Sequence, residues 1–414
     1  MNTGVGMDAG RVSGGLPATQ TGNAPGGEIW SAEYWANKGG VKLNLWRKRV
    51  GAPQPSEKPL PVLFLVHGSS NSARSSYDLT VPGKDEYSLM NVMARHGYDV
   101  WTMDHDGYGY SGSSGNNSDI ASGVEDLKAA MPVIASETGL TRMHFYGTSS
   151  GGIRAAAFAQ AQPQSVDRLV LCAFTYKGTG AAEIARRRKR SDELRASTRR
   201  KRDADMIRSI FTRDGHPGVY DPAVPEAIIA MEMKFGDTIP TGTYLDMAAN
   251  LPAVDPAKVM SPVLMIRGIW DGNSTDDDLL DFYRQLPNGD RQFVILPGPP
   301  VHDPARHRSQ PRLWREPASV VVRDRQFPRR TRAGPGVVVR QHRRRAVSGP
   351  PVHKATLLRG KERAKLAIGF LRRLLGQVVS ARERLSAADV VGISLPHLGW
   401  PVVAADAAGR TPQQ

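Results

Sequence analysis

The stretch that most constrains the fold is a short turn at residues 144–152, His-Phe-Tyr-Gly-Thr-Ser-Ser-Gly-Gly. The residues before it have the composition of a strand, and the Ala-rich residues after it are typical of a helix. Within the turn, Gly147, Ser149 and Gly151 match the pattern Gly-x-Ser-x-Gly. This pattern also occurs in ordinary small-residue turns, but a strand before it and a helix after it predict a nucleophile elbow.

The elbow has a chemical purpose. A serine hydroxyl is a poor nucleophile at neutral pH, so it must stand clear of the sheet beside a base. The turn that presents Ser149 in this way is strained, and glycines are expected on both sides because a Cβ there would clash with the neighbouring strand and helix. The N-terminus of the following helix favours a developing oxyanion.

The rest of the chain up to residue 296 alternates apolar strands with helices. Predicted strands cover 41–46, 60–66, 98–103, 142–146, 168–173, 259–266 and 290–296. Predicted helices cover 87–96, 118–138, 150–162 and 275–285. Residues 28–38, which carry three aromatic side chains, are expected to pack as an anchor. The alternation predicts an α/β fold with a mainly parallel sheet flanked by helices and right-handed crossovers.

Breaks in this rhythm predict five regions. Residues 1–27 are Gly-, Ala- and Thr-rich and are expected to be a disordered lead. Residues 28–173 and 256–298 are expected to form the two parts of the core. Between them the insertion (residues 174–255) is predicted to be a mostly helical cap or lid. Residues 299–414 form an atypical Arg/Pro-rich basic segment that we expect to be poorly ordered.

The positive charge of the chain lies in that last segment. Residues 301–414 contain 20 Arg and 3 Lys against 7 acidic residues, so they account for the whole net charge of +15. Two interpretations stay open: a reading-frame slip in the gene, or a genuine appended basic segment. Such a segment can bind nucleic acid through salt-dependent phosphate contacts. The small number of aromatic residues available for base stacking disfavours nucleic acid as a partner.

Other functional classes are disfavoured by missing signals. No run of 18 apolar residues predicts a membrane span, and the N-terminus lacks the apolar segment of a secretory signal. The single cysteine, Cys172, lies in an apolar run and is expected to be a buried strand residue, which favours a cytoplasmic setting. No metal-ligand cluster is visible, and Gly107-x-Gly109 lacks the rest of a dinucleotide-binding pattern, so neither a metal nor another cofactor is expected.

Four features taken together resemble the α/β-hydrolase superfamily, in its cap-bearing, serine esterase/lipase-like branch. These are His67-Gly68 after a central strand, the loop 104–111 after the next strand, the Ser149 elbow, and Asp271 after a late strand. The resemblance covers roughly residues 40–300 and implies the α/β-hydrolase fold with a helical cap.

The resemblance also implies a role for each site residue. Ser149 would be the nucleophile and Asp271 the acid that orients the catalytic histidine. The backbone N–H groups of Ser150 and Ser69 would form the oxyanion hole, with Ser70 as a near alternative to Ser69. His67 is expected to shape its loop rather than act as the base.

Three further acidic residues follow Asp271, and two lie in the glycine-punctuated loop. Asp276, Asp277 and Asp278 are expected to be N-terminal charges of the helix that follows. Asp104 and Asp106 are expected to hold their loop by side-chain hydrogen bonds.

The catalytic histidine is expected shortly after the last strand. Pro297-Gly298 is followed by His302, one residue later than the common spacing, and His307 is the next candidate. Three prolines downstream, Pro304, Pro311 and Pro317, argue against a long supporting helix. A triad without a competent base loses most of its rate, so a catalytically impaired protein is one alternative.

The insertion contains two basic runs, 186–190 and 199–202, interpreted either as solvated helix faces or as an attraction for an anionic substrate. Its apolar residues between 206 and 235 either pack a core or line an acyl pocket. The whole pattern predicts a cofactor-independent serine hydrolase that cleaves an ester-like bond in a small acyl substrate through a Ser149–His302–Asp271 triad and an acyl-enzyme. Thioesterase, amidase and carbon–carbon bond hydrolase activities stay open.

Overall fold

A computed structural model describes residues 27–212 and 220–296, together with the backbone of residues 321–322. The predictions of a disordered lead at 1–27 and of a poorly ordered segment at 299–414 therefore fall almost entirely outside the described residues. The core and the insertion lie mostly within them.

The strands of the described residues follow the predicted rhythm closely. They are β1 (Ile29–Lys38), β2 (Val41–Val50), β3 (Val62–Val66), β4 (Asp99–Met103), β5 (Met143–Thr148), β6 (Val166–Cys172), β7 (Arg199–Lys201), β8 (Thr238–Pro240), β9 (Val263–Gly268), β10 (Arg291–Leu296) and β11 (Val321–Val322).

The helices alternate with these strands. They are α1 (Ala73–Tyr77), α2 (Leu89–Arg95), α3 (Ile120–Thr138), α4 (Ser150–Ala161), α5 (Ala182–Arg188), α6 (Ser191–Ala196), α7 (Ala204–Thr212), α8 (Ala223–Glu232), α9 (Gly242–Ala249) and α10 (Asp276–Gln285), with 3₁₀ turns at 163–165, 233–235 and 256–258. Within the described part of the chain, no helix is both long and apolar enough to cross a membrane.

The main sheet has the strand order β1-β2-β4-β3-β5-β6-β9-β10-β11. The six neighbouring strands β4, β3, β5, β6, β9 and β10 pair in parallel. Strands β1, β2 and β11 extend the two edges of the sheet in antiparallel fashion. This is the mainly parallel sheet that the sequence predicts, flanked by helices as in an α/β-hydrolase. The elbow follows β5, near the middle of the parallel strands, where the carboxyl ends of neighbouring strands meet at one edge.

The core has a layer of side chains on each face of the sheet. In β3, Phe64 and its alternate neighbours pack with residues of α3, α4 and α10. Leu63 and Leu65 point to the opposite face and pack with α2 and Tyr77. Strands covered on both faces need continuous apolar sequence, which is why β3 reads as an unbroken apolar run.

The N-terminal strand β1 corrects the sequence analysis, which treats residues 28–38 as an aromatic anchor and places no strand there. β1 pairs along its full length with β2 in a hairpin. The hairpin turns at Gly39 and Gly40, whose φ values of 54° and 92° suit glycine. The aromatic side chains do pack: Tyr34 lies against Trp101 at 4.9 Å between ring centroids.

The insertion leaves the sheet after β6 and returns before β9. It contains α5 to α9, and also a small two-stranded antiparallel sheet of β7 and β8 that the helical prediction missed. Ile207, Phe211 and Ile228 of the insertion pack in one apolar cluster with Leu79 and Tyr87 of the core. The apolar residues of α7 and α8 therefore serve mainly as packing.

Candidate active site

The predicted elbow forms around Ser149. This residue has φ 57° and ψ −127°, a backbone conformation that non-glycine residues rarely adopt. The Ser149 N–H donates to the Cys172 carbonyl at 2.8 Å, and the Ser149 carbonyl accepts from the Gly152 N–H at 2.9 Å. The strained turn is thus held between the end of β6 and the first turn of α4.

The two glycines of the motif are required by close backbone packing. A Cβ at Gly147 would lie 2.4 Å from the Gly151 carbonyl oxygen, and one at Gly151 would lie 2.1 Å from the Val66 carbonyl oxygen. Both obstacles are main-chain atoms, which cannot move aside as a flexible side chain can. Strand β3, strand β5 and helix α4 therefore approach each other at a distance that only glycine permits.

The predicted oxyanion loop lies directly beside the elbow. A Cβ at Gly68 would be 3.4 Å from the Ser149 Cβ, so the loop after β3 touches the serine residue. The side-chain oxygens of Ser69 and Ser150 are 2.5 Å apart. Among the described residues, neither the Ser69 N–H nor the Ser150 N–H donates a hydrogen bond. Two free backbone donors therefore lie next to the serine.

His67 is buried below this loop. Its Nε2 accepts a hydrogen bond from the His105 N–H at 3.1 Å, and its Nδ1 lies 2.8 Å from the Gly68 carbonyl oxygen. The first contact requires an unprotonated Nε2, so Nδ1 carries the proton. Burial, together with nearby His105 and Arg154, lowers the pKa of His67 well below its ordinary value. The geometry is that of a neutral imidazole that ties two strand-end loops together.

Asp271 lies in the turn after β9 and lines the same cleft as Ser149. Its Oδ1 accepts from the Asn273 N–H at 2.9 Å and from the Asn273 side-chain amide at 3.1 Å. Its Oδ2 is buried and has no hydrogen-bond partner among the described residues. Burial raises the pKa of Asp271, while the Asn273 hydrogen bonds act in the opposite direction. One carboxylate oxygen is thus held in place and the other is left open for a donor.

The predicted histidine His302 and its rival His307 lie outside the described residues. Strand β10, after which both are expected, runs parallel to β9 and ends with Leu296 opposite Gly268. Strand β10 therefore ends at the same edge of the sheet as the turn that carries Asp271.

Asp278 differs from the role expected for it. Thr275 caps α10 and accepts from the Asp278 N–H at 3.2 Å, as predicted from the acidic first turn. The Asp278 carboxylate, however, is buried and accepts hydrogen bonds from four consecutive N–H groups, those of residues 176–179. Asp278 therefore anchors the start of the insertion. This role could not be predicted from the sequence, because it depends on which loop packs against α10.

Asp104 and Asp106 hold their loop as expected. Asp104 accepts from the Ala73 N–H at 2.7 Å and from the Tyr110 N–H at 2.9 Å. Burial raises the pKa of Asp104 to about 6. Asp106 accepts from the Ser114 N–H at 2.9 Å. The loop is thereby fastened to the start of α1.

A second buried imidazole, that of His105, adjoins His67. Its Nδ1 lies 2.9 Å from Asp126, which also pairs with Lys38. Burial lowers the pKa of His105 to about 4, and hydrogen bonds from His105 and Lys38 lower the pKa of Asp126 to about 2. This cluster holds the loops that follow β3 and β4, and its residues do not line the cleft.

Ser149 and Asp271 open into one cleft. It is lined by Gly68, Ser69, Ser70, Asn71, Ser76 and Tyr77 from the oxyanion loop and α1, by Thr148 and Ser149 from the elbow, by Arg187, Ile210 and Tyr244 from the insertion, and by Trp270, Asp271 and Asn273 from the turn after β9. The structure thus brings Ser149, Ser69 and Asp271 to one cleft, whereas Ser150, which follows Ser149 in the chain, is fully buried and does not line it. Among the described residues, no cluster of His, Cys, Asp and Glu side chains forms a metal site.

The insertion contributes one buried and one partly buried arginine that the sequence analysis did not single out. Arg187 is 7% exposed, donates to the Met247 sulfur at 3.3 Å and lies over the Tyr244 ring at 4.5 Å. Arg200 lies over the same ring at 3.7 Å, and burial lowers its pKa. By contrast, the side chains of Arg186 and Arg190 are exposed and form ion pairs with acidic residues three positions away. The burial of Arg187 could be predicted from the sequence, because Arg187 follows Ile184 by three residues and therefore lies on the same face of the helix.

Comparison with known proteins places this geometry among hydrolases. Over 137 residues, 32% of this chain and 41% of the relative, it is 31% identical to a 2-hydroxy-6-oxononadienedioate/2-hydroxy-6-oxononatrienedioate hydrolase of Paraburkholderia phymatum. The matched region is therefore less than half of that relative's length.

The chain is also similar to two solved structures. An enol-lactonase from Burkholderia xenovorans has a TM-score of 0.45 at 15% identity, over 63% of this chain and 90% of that one. A 2-hydroxy-6-oxo-6-phenylhexa-2,4-dienoate hydrolase from Rhodococcus has a TM-score of 0.44 at 18% identity, over 65% and 92%.

The family itself is shown by a longer match. The model of the family described as serine aminopeptidase, S33, matches residues 58–303, more than half of the chain. This range begins before β3, contains the elbow, the insertion and the turn that carries Asp271, and ends one residue after His302. The chain therefore belongs to the serine aminopeptidase S33 family and is a hydrolase of the α/β-hydrolase fold.

Proposed function

We propose that this protein is a serine hydrolase that cleaves an ester-like acyl bond through a covalent acyl-enzyme. The observation that carries the proposal is the shared cleft: Ser149 stands on a strained elbow, and Asp271 presents a buried carboxylate oxygen without a partner among the described residues. A buried acceptor of this kind costs free energy unless a donor pairs with it. The donor we propose is an imidazole N–H of His302, the histidine expected after the last strand.

The proposed reaction has two halves. The Ser149 Oγ attacks the carbonyl carbon while its proton passes to the His302 imidazole, which Asp271 orients. The oxyanion that forms accepts hydrogen bonds from the Ser69 and Ser150 N–H groups. Collapse of this intermediate breaks the acyl–oxygen bond, and the leaving alkoxide takes the proton from the imidazolium. Water then attacks the acyl-enzyme by the same route and releases the acid.

The charge of the cleft favours an anionic substrate. Arg187 and Asp271 are its charged lining residues within the described chain, and Asp271 is assigned to the imidazole. The Arg187 guanidinium contacts a thioether and an aromatic ring, and its charge opposes the burial that raises the pKa of Asp271, the residue assigned to the imidazole. A substrate ammonium, as an aminopeptidase requires, would meet this charge unfavourably, whereas a carboxylate would gain a charge-assisted hydrogen bond.

A second candidate is hydrolysis of a carbon–carbon bond next to a ketone. The curated relative from Paraburkholderia phymatum acts, by its name, on a nine-carbon dioate, and Arg187 offers a partner for a carboxylate. In this reaction the acyl group again passes to Ser149, and the leaving carbon takes a proton instead of the leaving oxygen.

Matched substrates test the proposal. We expect wild-type protein to hydrolyse p-nitrophenyl hemisuccinate with a higher kcat/KM than the uncharged p-nitrophenyl butyrate, and Ser149→Ala to abolish both. Arg187→Leu should remove the preference, a change of about 10- to 100-fold, because hydrogen bonds to charged groups contribute about 1.5–3 kcal/mol.

Arg186→Leu is the matched control, since this neighbouring side chain is 57% exposed. Hydrolysis that persists in Ser149→Ala would contradict the serine mechanism. A carboxylate preference that Arg186→Leu and Arg187→Leu leave equally intact would contradict the anionic substrate. Consumption of a 2-hydroxy-6-oxo-dienoate, with inert esters, would favour the carbon–carbon reaction.

A further inference from the structure

A chain of three hydroxyl groups connects the insertion to both predicted oxyanion donors. The Thr243 Oγ1, in α9 of the insertion, donates to the Ser69 Oγ at 2.8 Å. The Ser69 Oγ is in turn 2.5 Å from the Ser150 Oγ. All three residues are buried, with Thr243 and Ser150 fully so. A buried hydroxyl is held firmly by its partners because water cannot replace them.

Ser69 is also held through its carbonyl group. The Ser69 carbonyl oxygen accepts from the Arg200 guanidinium at 2.9 Å and from the Tyr108 hydroxyl at 3.2 Å. Arg200 belongs to β7 of the insertion. These contacts restrict the side chain and the Cα position of Ser69. Its N–H shares a peptide plane with the Gly68 carbonyl, which lies 2.8 Å from the His67 Nδ1, so these contacts together limit how far the N–H can shift. Two of the four partners of Ser69, Thr243 and Arg200, come from the insertion.

Oxyanion stabilisation depends on the direction of the Ser69 N–H. A backbone donor is effective when it points at the place where the negative charge develops, and the site must be organised before the reaction begins. The spacing of the Ser69 and Ser150 N–H groups is therefore a catalytic parameter, and the Ser69–Ser150 hydroxyl contact links these two residues directly. The sheet alone does not hold Ser69, because the loop after β3 carries it beyond the strand end.

We propose that Thr243 is a positioning residue for catalysis: through the Ser69 and Ser150 hydroxyls it sets the spacing of the two oxyanion-hole N–H groups. The insertion then takes part in transition-state stabilisation as well as enclosing the cleft. This inference rests on the proposed serine-hydrolase function, because it gives the two N–H groups their task.

The test separates positioning from simple packing. Thr243→Val keeps the shape of the side chain and removes the hydroxyl, and Thr243→Ser restores the hydroxyl. Pre-steady-state release of p-nitrophenol gives the acylation rate constant of Ser149. We expect Thr243→Val to lower it about 10-fold with KM changed less than twofold, since a misdirected donor should cost less than the roughly 100-fold of a lost one. Thr243→Ser should recover the wild-type rate within about twofold.

A transition-state analogue provides a readout that packing alone would not move. A trifluoromethyl ketone forms a bond from the Ser149 Oγ to its carbonyl carbon, and its oxygen becomes an oxyanion as the serine proton passes to the imidazole. Its inhibition constant should rise in Thr243→Val by the same factor as the acylation rate falls. Ser150→Ala, which keeps the backbone N–H, should give a similar loss, and the double variant should lose little more than either single one.

The outcomes are distinct. If Thr243→Val acylates and binds the analogue like the wild type, the inference fails while the proposed function stands. If the loss is not recovered by Thr243→Ser, or the double variant loses the product of the two factors, the inference also fails. If Thr243→Val does not fold, Ser150→Ala and its acylation rate decide. If wild-type protein is not acylated at all, the proposed function and the inference fail together.

Discussion

The sheet and the insertion hold their polar residues in different ways. At the strand ends, Asp271 is held by Asn273, two residues away, and Asp104 binds backbone N–H groups 6 and 31 residues away. In the insertion, Arg202 pairs with Glu232, which also binds the Ser72 N–H 160 residues away, and Thr243 reaches Ser69 across 174 residues. The difference indicates that the strand ends hold the predicted reactive groups mainly by contacts close in sequence, whereas the insertion secures the surrounding loops by contacts distant in sequence.

The largest expected effect concerns chemistry on the sheet side. Asp271→Asn keeps the volume of the side chain and an oxygen for Asn273, but it no longer favours a charged imidazole. We expect kcat to fall about 1,000- to 10,000-fold, about 4–5 kcal/mol, with an unchanged melting temperature. Steady-state kinetics and thermal unfolding measure the two quantities.

Asp276→Asn is its control, because this residue pairs with Arg267 at 2.9 Å on the surface side of α10 and does not line the cleft. A fully active Asp271→Asn, or an Asp276→Asn that loses as much activity, would assign the acid elsewhere.

The next effect tests the insertion. Glu232→Gln keeps an oxygen for Ser72 and Ser75 but leaves the buried Arg202 without a compensating charge. We expect the free energy of unfolding to fall by about 3 kcal/mol in urea titrations. Glu226→Gln makes the same change in the exposed pair with Arg208 and should cost less than about 1 kcal/mol. Equal costs would remove the distinction between the buried and the surface pairs.

The third prediction concerns the close packing of β3 against α4. Gly151→Ala puts a methyl group 2.1 Å from the Val66 carbonyl oxygen, so strand and helix must separate. We expect a loss of about 2 kcal/mol in the free energy of unfolding. Gly289→Ala is the control, because nothing lies within 4 Å of the added methyl group. A Gly151→Ala variant as stable as Gly289→Ala would show that β3 and α4 are not so closely packed.

The last effect is a pH dependence from His105, which is the smallest of the four when it is expressed per pH unit. Burial holds its folded pKa near 4, against about 6.5 unfolded, so between these values the unfolded chain binds a proton that the folded chain does not. His105 therefore makes stability fall as pH drops from 6.5 to 4, by about 1.4 kcal/mol per pH unit at most. His105→Asn, which retains a donor for Asp126, should flatten the slope of unfolding free energy against pH by up to this amount. An unchanged slope would mean that His105 is protonated in the folded state.

The difference between contacts close in sequence and contacts distant in sequence also explains which features could be predicted from the sequence. The strand bounds, the elbow, the Thr275 cap and the mainly parallel sheet depend on apolar runs, glycines and capping residues that lie next to one another. The β1–β2 hairpin was also within reach, since Gly39-Gly40 between two strand-like runs is a local turn signal.

The structure of the insertion was harder to predict from the sequence, for a physical reason. Whether an arginine is solvated or buried depends on the surface opposite, so neighbouring Arg186 and Arg187 have the same sequence context and opposite environments. The four N–H groups that bind Asp278 and the Thr243–Ser69 contact likewise join segments about a hundred residues or more apart. The predicted base His302 stays a prediction.

The central claim is that Ser149 is an activated nucleophile, and covalent labelling tests it most directly. A fluorophosphonate reacts with such a serine by forming an oxygen–phosphorus bond and losing fluoride. Intact-mass analysis of the full chain, followed by peptide mapping, should find one adduct on Ser149 in the wild type and none in Ser149→Ala. Folded wild-type protein that takes up no label, or that is labelled to the same extent in Ser149→Ala, would contradict the account.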